Sequence, residues 1–106
     1  MARTVKRLAQ AALSTTVTNR VTASGAAVAQ VTEIYLANNG TTDRYVDLYS
    51  GGTAATNRIL RQINVPANGS TLLQDLKIVV TSTTALAAAQ DTGTDVIMTA
   101  FGIEEV

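Results

Sequence analysis

The chain has 106 residues, eight basic and eight acidic side chains, and neither histidine nor cysteine, so its formal net charge is zero. Those two absences exclude an imidazole base, a thiolate nucleophile, a disulfide and a Cys/His zinc site. The length suits one domain, and 26 Val, Ile and Leu residues against 17 Ala and 17 Thr predict a thin core that contact with a neighbour would strengthen.

The charge is unevenly distributed. Arg3, Lys6, Arg7 and Arg20 stand in residues 1–32 with no acid, while all eight acids follow from Glu33 onward. This split predicts a basic N-terminal arm, residues 1–11, on a more acidic body, residues 12–106. Such an arm is suited to an acidic partner surface, including that of a neighbouring copy. Four bases without nearby aromatics do not make a specific nucleic-acid site. No apolar run is long enough to span a membrane, and no compact Leu-rich segment suggests a secretory signal.

Within residues 1–13, Val5, Leu8, Ala9, Ala12 and Leu13 fall at helical spacing, which predicts a short helical turn in the arm. The β-branched run that follows predicts a first strand over residues 12–22, closed by a loop at Ser24, Gly25 and Ala26.

Strands are next expected over residues 28–37 and 44–50, on either side of Asn38, Asn39 and Gly40. Residues of this type tolerate a tight reversal, so the two strands are expected to pair as a hairpin with Leu36 opposite Val46. Alternation then places Ile34, Leu36, Val46 and Leu48 on the core face. Glu33, Tyr35, Tyr45, Asp47 and Tyr49 fall on the other face, bringing all three tyrosines together.

Residues 51–57 read as a loop, and residues 58–65 as a fourth strand with Ile59, Ile63 and Val65 on one face. Pro66, Ala67, Asn68 and Gly69 form the clearest turn signal. Leu72, Gln74, Leu76, Ile78 and Val80 alternate with their neighbours in one fifth strand. Residues 84–90 suit a strand better than an Ala-rich helical turn, and residues 95–103 a closing strand. The pattern is all-β: a single β-sandwich or jelly-roll-like domain of about six to eight short antiparallel strands.

The acids lie mostly in turns or on outward positions, with no nucleophile or positioned base beside them, so no catalytic residue is assigned. Asp91 and Asp95 bracket a glycine-containing loop but lack the ligand spacing of a calcium loop, and Gly51 and Gly52 lack the setting of a phosphate loop. Neither a metal nor another cofactor is expected. The Tyr35, Tyr45 and Tyr49 face is a candidate interface, because tyrosine buries a large area and keeps a polar tip.

Several phrases in chain order carry a resemblance: Leu8, Ala9, Gln10 and Ala11, then VTEIYLANNGTTDRYVDLY, NRIL, INVPANGSTLL and TGTDVIMTAFGIEE. Together they resemble small virion proteins of tailed bacteriophages, in particular capsid decoration (cement) proteins built on a β-sandwich. The resemblance implies a non-enzymatic homo-oligomer, commonly a trimer. It would be made in the host cytoplasm and placed on the virion, where it would bind the major capsid protein or other virion proteins and stabilise the assembled head. Arg3, Lys6 and Arg7 of the arm, with the three tyrosines, are the expected contact residues. A neck, tail, baseplate or fibre component is the alternative within the particle. A carbohydrate-binding module using the tyrosine face is the alternative outside that class.

Overall fold

A computed structural model of the chain describes residues 3–106; residues 1 and 2 of the expected arm lie outside the described residues. The strands are β1 (Arg3–Ala12), β2 (Thr18–Val21), β3 (Val28–Asn38), β4 (Arg44–Ser50), β5 (Arg58–Val65), β6 (Ser70–Leu73), β7 (Ile78–Val80), β8 (Leu86–Gln90) and β9 (Val96–Glu105). They form two antiparallel sheets. One has the order β1-β9-β3-β6, with β7 pairing β3 beyond β6, and the other has the order β2-β8-β4-β5. The all-β sandwich expected from the sequence is therefore present.

Its topology follows from one long antiparallel ribbon. β1 pairs β9, β2 pairs β8, β3 pairs β6 and β7, and β4 pairs β5. Every one of these pairs is centred near residues 53–54, at the tip formed by Gly51, Gly52, Thr53 and Ala54. The ribbon then rolls up so that successive pairs alternate between sheets, which is a jelly-roll arrangement.

This winding corrects the hairpin expected at Asn38, Asn39 and Gly40. β3 and β4 lie in different sheets, so Leu36 and Val46 do not pair across a ladder. The reversal is a crossing held by a side chain instead. The Asn38 amide donates to the Thr42 carbonyl at 2.8 Å and the Val65 carbonyl at 3.1 Å, and its oxygen accepts from the Gly40 N–H at 2.8 Å. The face assignment survives, because alternation along a strand does not depend on which strand lies beside it. Ile34, Leu36, Val46 and Leu48 are all fully buried in the core with Leu13, Val31, Leu86 and Met98.

The N-terminal segment is also corrected. Residues 3–12 form a strand, not an arm with a helical turn, and the expected strand over residues 12–22 is reduced to β2. Helical spacing in Ala-rich sequence is a weak preference, and ten residues of β9 backbone offer it a ladder. Between its neighbours β1 and β3, β9 requires glycine at one point: a Cβ on Gly102 would run into the Gln30 carbonyl and the Leu8 side chain.

Bulges account for the remaining differences. In β5, Gln62 adopts φ +54°, and its N–H is held by the Asp47 carboxylate at 2.7 Å. The irregularity shifts the alternation, so Leu60 and Ile63 pair with the core residues Leu48 and Val46, Val65 is buried opposite Arg44, and Ile59 is exposed. The fifth strand expected over residues 72–80 is broken into β6 and β7 by a bulge in which Asp75 adopts φ +60°. The Ala-rich residues 86–90 form a strand as expected, buried at every position. Small side chains suit this central strand, where Ala87 pairs with the much larger Tyr49.

Leu36→Ala is expected to destabilise the fold by about 2–5 kcal/mol, the range for a buried leucine truncation. Leu72→Ala, on an exposed position of β6, is expected to change it by about 0.5 kcal/mol or less in the isolated chain. Chemical denaturation of both variants at low protein concentration checks the pair.

Candidate functional site

Four of the five aspartates hold turns or loop ends. Asp43 accepts the Ala67 N–H at 2.9 Å, Asp91 accepts the Tyr45 N–H at 3.1 Å, and Asp47 lies 3.5 Å from Arg58 besides its bond to Gln62. Asp95 receives the Arg44 Nε at 3.0 Å and the Gln90 amide at 2.9 Å. Gln90 is itself buried, donating to the Thr92 carbonyl and accepting the Val96 N–H at 3.0 Å. The loops at this end of the sandwich are thus tied through polar side chains.

The hydrogen bond from Arg44 is the main reason the Asp95 carboxyl titrates below its ordinary value of 3.8, with Gln90 adding to the effect. The same bond raises the Arg44 guanidinium above its usual range. A carboxyl with a lowered folded-state pKa stabilises the fold above its unfolded value, and that contribution is lost as pH falls through the folded value.

Among the described residues, no group of three or more His, Cys, Asp or Glu side chains is placed to hold a metal ion. A shallow cleft of about 340 Å³ is lined by Tyr45, Asp47, Tyr49, Gln62 and Asp91. Each of its two carboxylates already accepts a backbone N–H at its rim.

The expected contact residues do not form one surface. Tyr35 lies on the outer face of the five-stranded sheet, whereas Tyr45 and Tyr49 belong to the other sheet. The shared tyrosine face depended on the hairpin that does not form, so the three rings do not stand on one surface. Tyr49 is only 5% exposed, with the Arg58 guanidinium 5.5 Å from its ring centre. Arg3 and Lys6 meet acids of their own chain: Arg3 lies 3.3 Å from Glu105, and Lys6 lies 2.8 Å from Glu104. The basic segment and part of the acidic body therefore compensate each other across the β1–β9 ladder. Arg7 donates to an uncharged partner, the Gln10 amide oxygen at 3.3 Å, and makes no ion pair among the described residues.

What the structure does assemble is an apolar outer face on the five-stranded sheet. Tyr35 packs edge-to-face on Phe101 with ring centres 5.3 Å apart. Leu72 is Tyr35's cross-strand neighbour on β6, and Val28, Val79, Ile97 and Ile103 extend the surface. Val5, Val28, Tyr35, Leu72 and Val79 are all substantially exposed. Its charged residues are Arg3, Arg7, Glu33 and Glu105, with Asp75 and Lys77 beside Glu33 at the margin. In one row across the strands, Arg7 on β1 pairs with Phe101 on β9, which pairs with Glu33 on β3.

Sequence reasoning found Tyr35 and Arg7 but missed Phe101, Ile97, Ile103 and Leu72. A signal was present in residues 96–103, which are apolar on both faces. A strand of that kind calls for cover on both sides.

No protein-family model matches the chain, and no curated protein matches it.

Asp95→Asn is expected to lower the melting temperature at neutral pH. The difference from the unsubstituted chain should shrink as pH falls below 3.8, where the wild-type carboxyl begins to protonate. Thermal melts across an acid pH series check the convergence.

Proposed function

We propose that this chain is a non-enzymatic structural protein of a tailed-bacteriophage virion, acting as a capsid decoration protein on the outside of the assembled head. The observation that carries the reading is the exposed apolar face held on a rigid sandwich of 44 × 26 × 19 Å. A contiguous apolar surface of this kind suits a permanent contact better than free solvent. The order of phrases from Leu8 to Glu105 supports the viral assignment through resemblance to decoration proteins. The commitment of most carboxylates to turns and ion pairs is compatible with a role that transforms no substrate.

The mechanism is linkage. A protein that binds the closed shell, and not its separated subunits, stabilises the shell in proportion to the logarithm of its free concentration over its dissociation constant. Nothing need move or react. Occupancy and contact area set the effect.

Quantifying this chain against the major capsid protein in purified intact particles tests the reading. Decoration predicts a copy number comparable to that of the capsid subunit. Absence from the particle, or a count matching a single small ring at the neck or tail, would contradict it.

A further inference from the structure

We propose that the outer face of the five-stranded sheet packs against the same face of a second copy of this chain. The resulting dimer is two-fold symmetric, with its axis along the strands and centred on β9. The proposal rests on the assembly reading above and gives the apolar face to a second copy, so that the dimer, through its other surfaces, would be the unit that the shell binds.

The size of the face fits such a partner. A two-fold axis centred on β9 overlays β1, β9 and β3, and three strands at about 4.8 Å spacing, each about ten residues long at about 3.3 Å per residue, give a flat footprint of roughly 500 Å². The accessible area of side chains standing on it is larger than that projection. A stable interface buries about 800 Å² per partner.

The charge arrangement selects the occupant. Arg7 and Glu33 flank Phe101 in one row, one strand to either side. Neither makes an ion pair with another described residue, unlike Arg3 and Lys6. When two such faces meet about an axis parallel to β9, the left and right sides of the row exchange. Arg7 of each copy then lies over Glu33 of the other, and both unpaired charges are matched by one operation. An axis across the strands would set Arg7 over Arg7 and Glu33 over Glu33. Self-complementarity of this kind defines a two-fold interface.

The residues on the axis agree. The outward column of β9 is Ile97, Thr99, Phe101 and Ile103, uncharged side chains that meet their own copies without repulsion. Gln10 of one copy would lie over Tyr35 of the other, and Ala12 over Ala37, so a polar group meets a hydroxyl and a small group meets a small one. Glu105 also falls in this column, but Arg3 neutralises it. It stands at the far end of the sheet, where the twist between aligned sheets, about 30°, separates the faces.

Sedimentation equilibrium of the full chain is expected to give twice the 11.0 kDa chain mass. Arg7→Glu and Glu33→Arg should each weaken association by roughly ten-fold or more, because each sets like charges together twice. Mixing the two variants should restore association as a heterodimer, since each then supplies what the other lacks. Circular dichroism melts at low concentration check that the variants fold.

Should either reversal fail to fold, the absence of native cysteine allows a second route. Arg7→Cys and Glu33→Cys chains, mixed and treated with a short bismaleimide, should cross-link to each other far more than either does alone. A monomeric or trimeric wild type, or reversals that leave its mass unchanged, would overturn the proposal. So would a mixture that does not re-associate, or one that does not cross-link. A chain that coats phage heads as a monomer overturns the dimer and leaves the decoration reading standing.

Discussion

A buried amide with every bond satisfied determines how this chain is wound. Asn38 stands where β3 leaves one sheet and β4 enters the other, and its side chain meets Thr42, Val65 and Gly40 in place of a hairpin ladder. An unsatisfied buried polar group costs about 1–3 kcal/mol, so the crossing and its partners must form together. The backbone of Asn38 donates to Gly69, and that of Asn68 to Gly40, which joins the crossing to the turn after Pro66. Gln90 and Asp95 do the same work at the neighbouring crossing between β8 and β9. One end of the sandwich is therefore clasped by short polar side chains, and the hydrophobic core fills in beneath it.

That clasp separates two kinds of surface. At the loops, carboxylates serve turns: Asp43, Asp47, Asp91 and Asp95 each hold a backbone N–H or a guanidinium. On the broad outer face of the five-stranded sheet, aromatic and branched side chains stand in rows, with Arg7 and Glu33 among them and Asp75 and Lys77 at the margin. The first surface is internally satisfied, and the second is not. Burial of that apolar face is worth about 25 cal/mol per Å² removed from water.

The two surfaces differ in how legible they are in the sequence. The core residues Ile34, Leu36, Val46 and Leu48 could be read correctly even with the wrong pairing, because the two-residue period is a property of each strand alone. Pairing is not local. Asn38, Asn39 and Gly40 carry the composition of a hairpin turn, yet the nearest true hairpin closes around residues 51–57. Ile59 was misplaced because one left-handed residue, Gln62, reverses the alternation, and glutamine does not advertise it. Residues 3–12 gave a helical spacing that their partnership with β9 overrides. Of the candidate contact residues, Tyr35 and Arg7 share the apolar face, and Tyr45 and Tyr49 lie in the opposite sheet. The second apolar face of β9 was visible in the letters, but only the sheet order shows that no described element of the chain covers it.

The central claim is that the uncovered face is buried in the working assembly, and two tyrosines offer an internal control. Tyr35 and Tyr45 are nearly equally exposed in the isolated chain, at 45% and 43%, on opposite sides of the sandwich. Covalent surface labelling, read by mass spectrometry as concentration rises, compares them in one sample. Loss of labelling at Tyr35 with Tyr45 unchanged is the predicted result, and equal labelling of both rings at every concentration would contradict it.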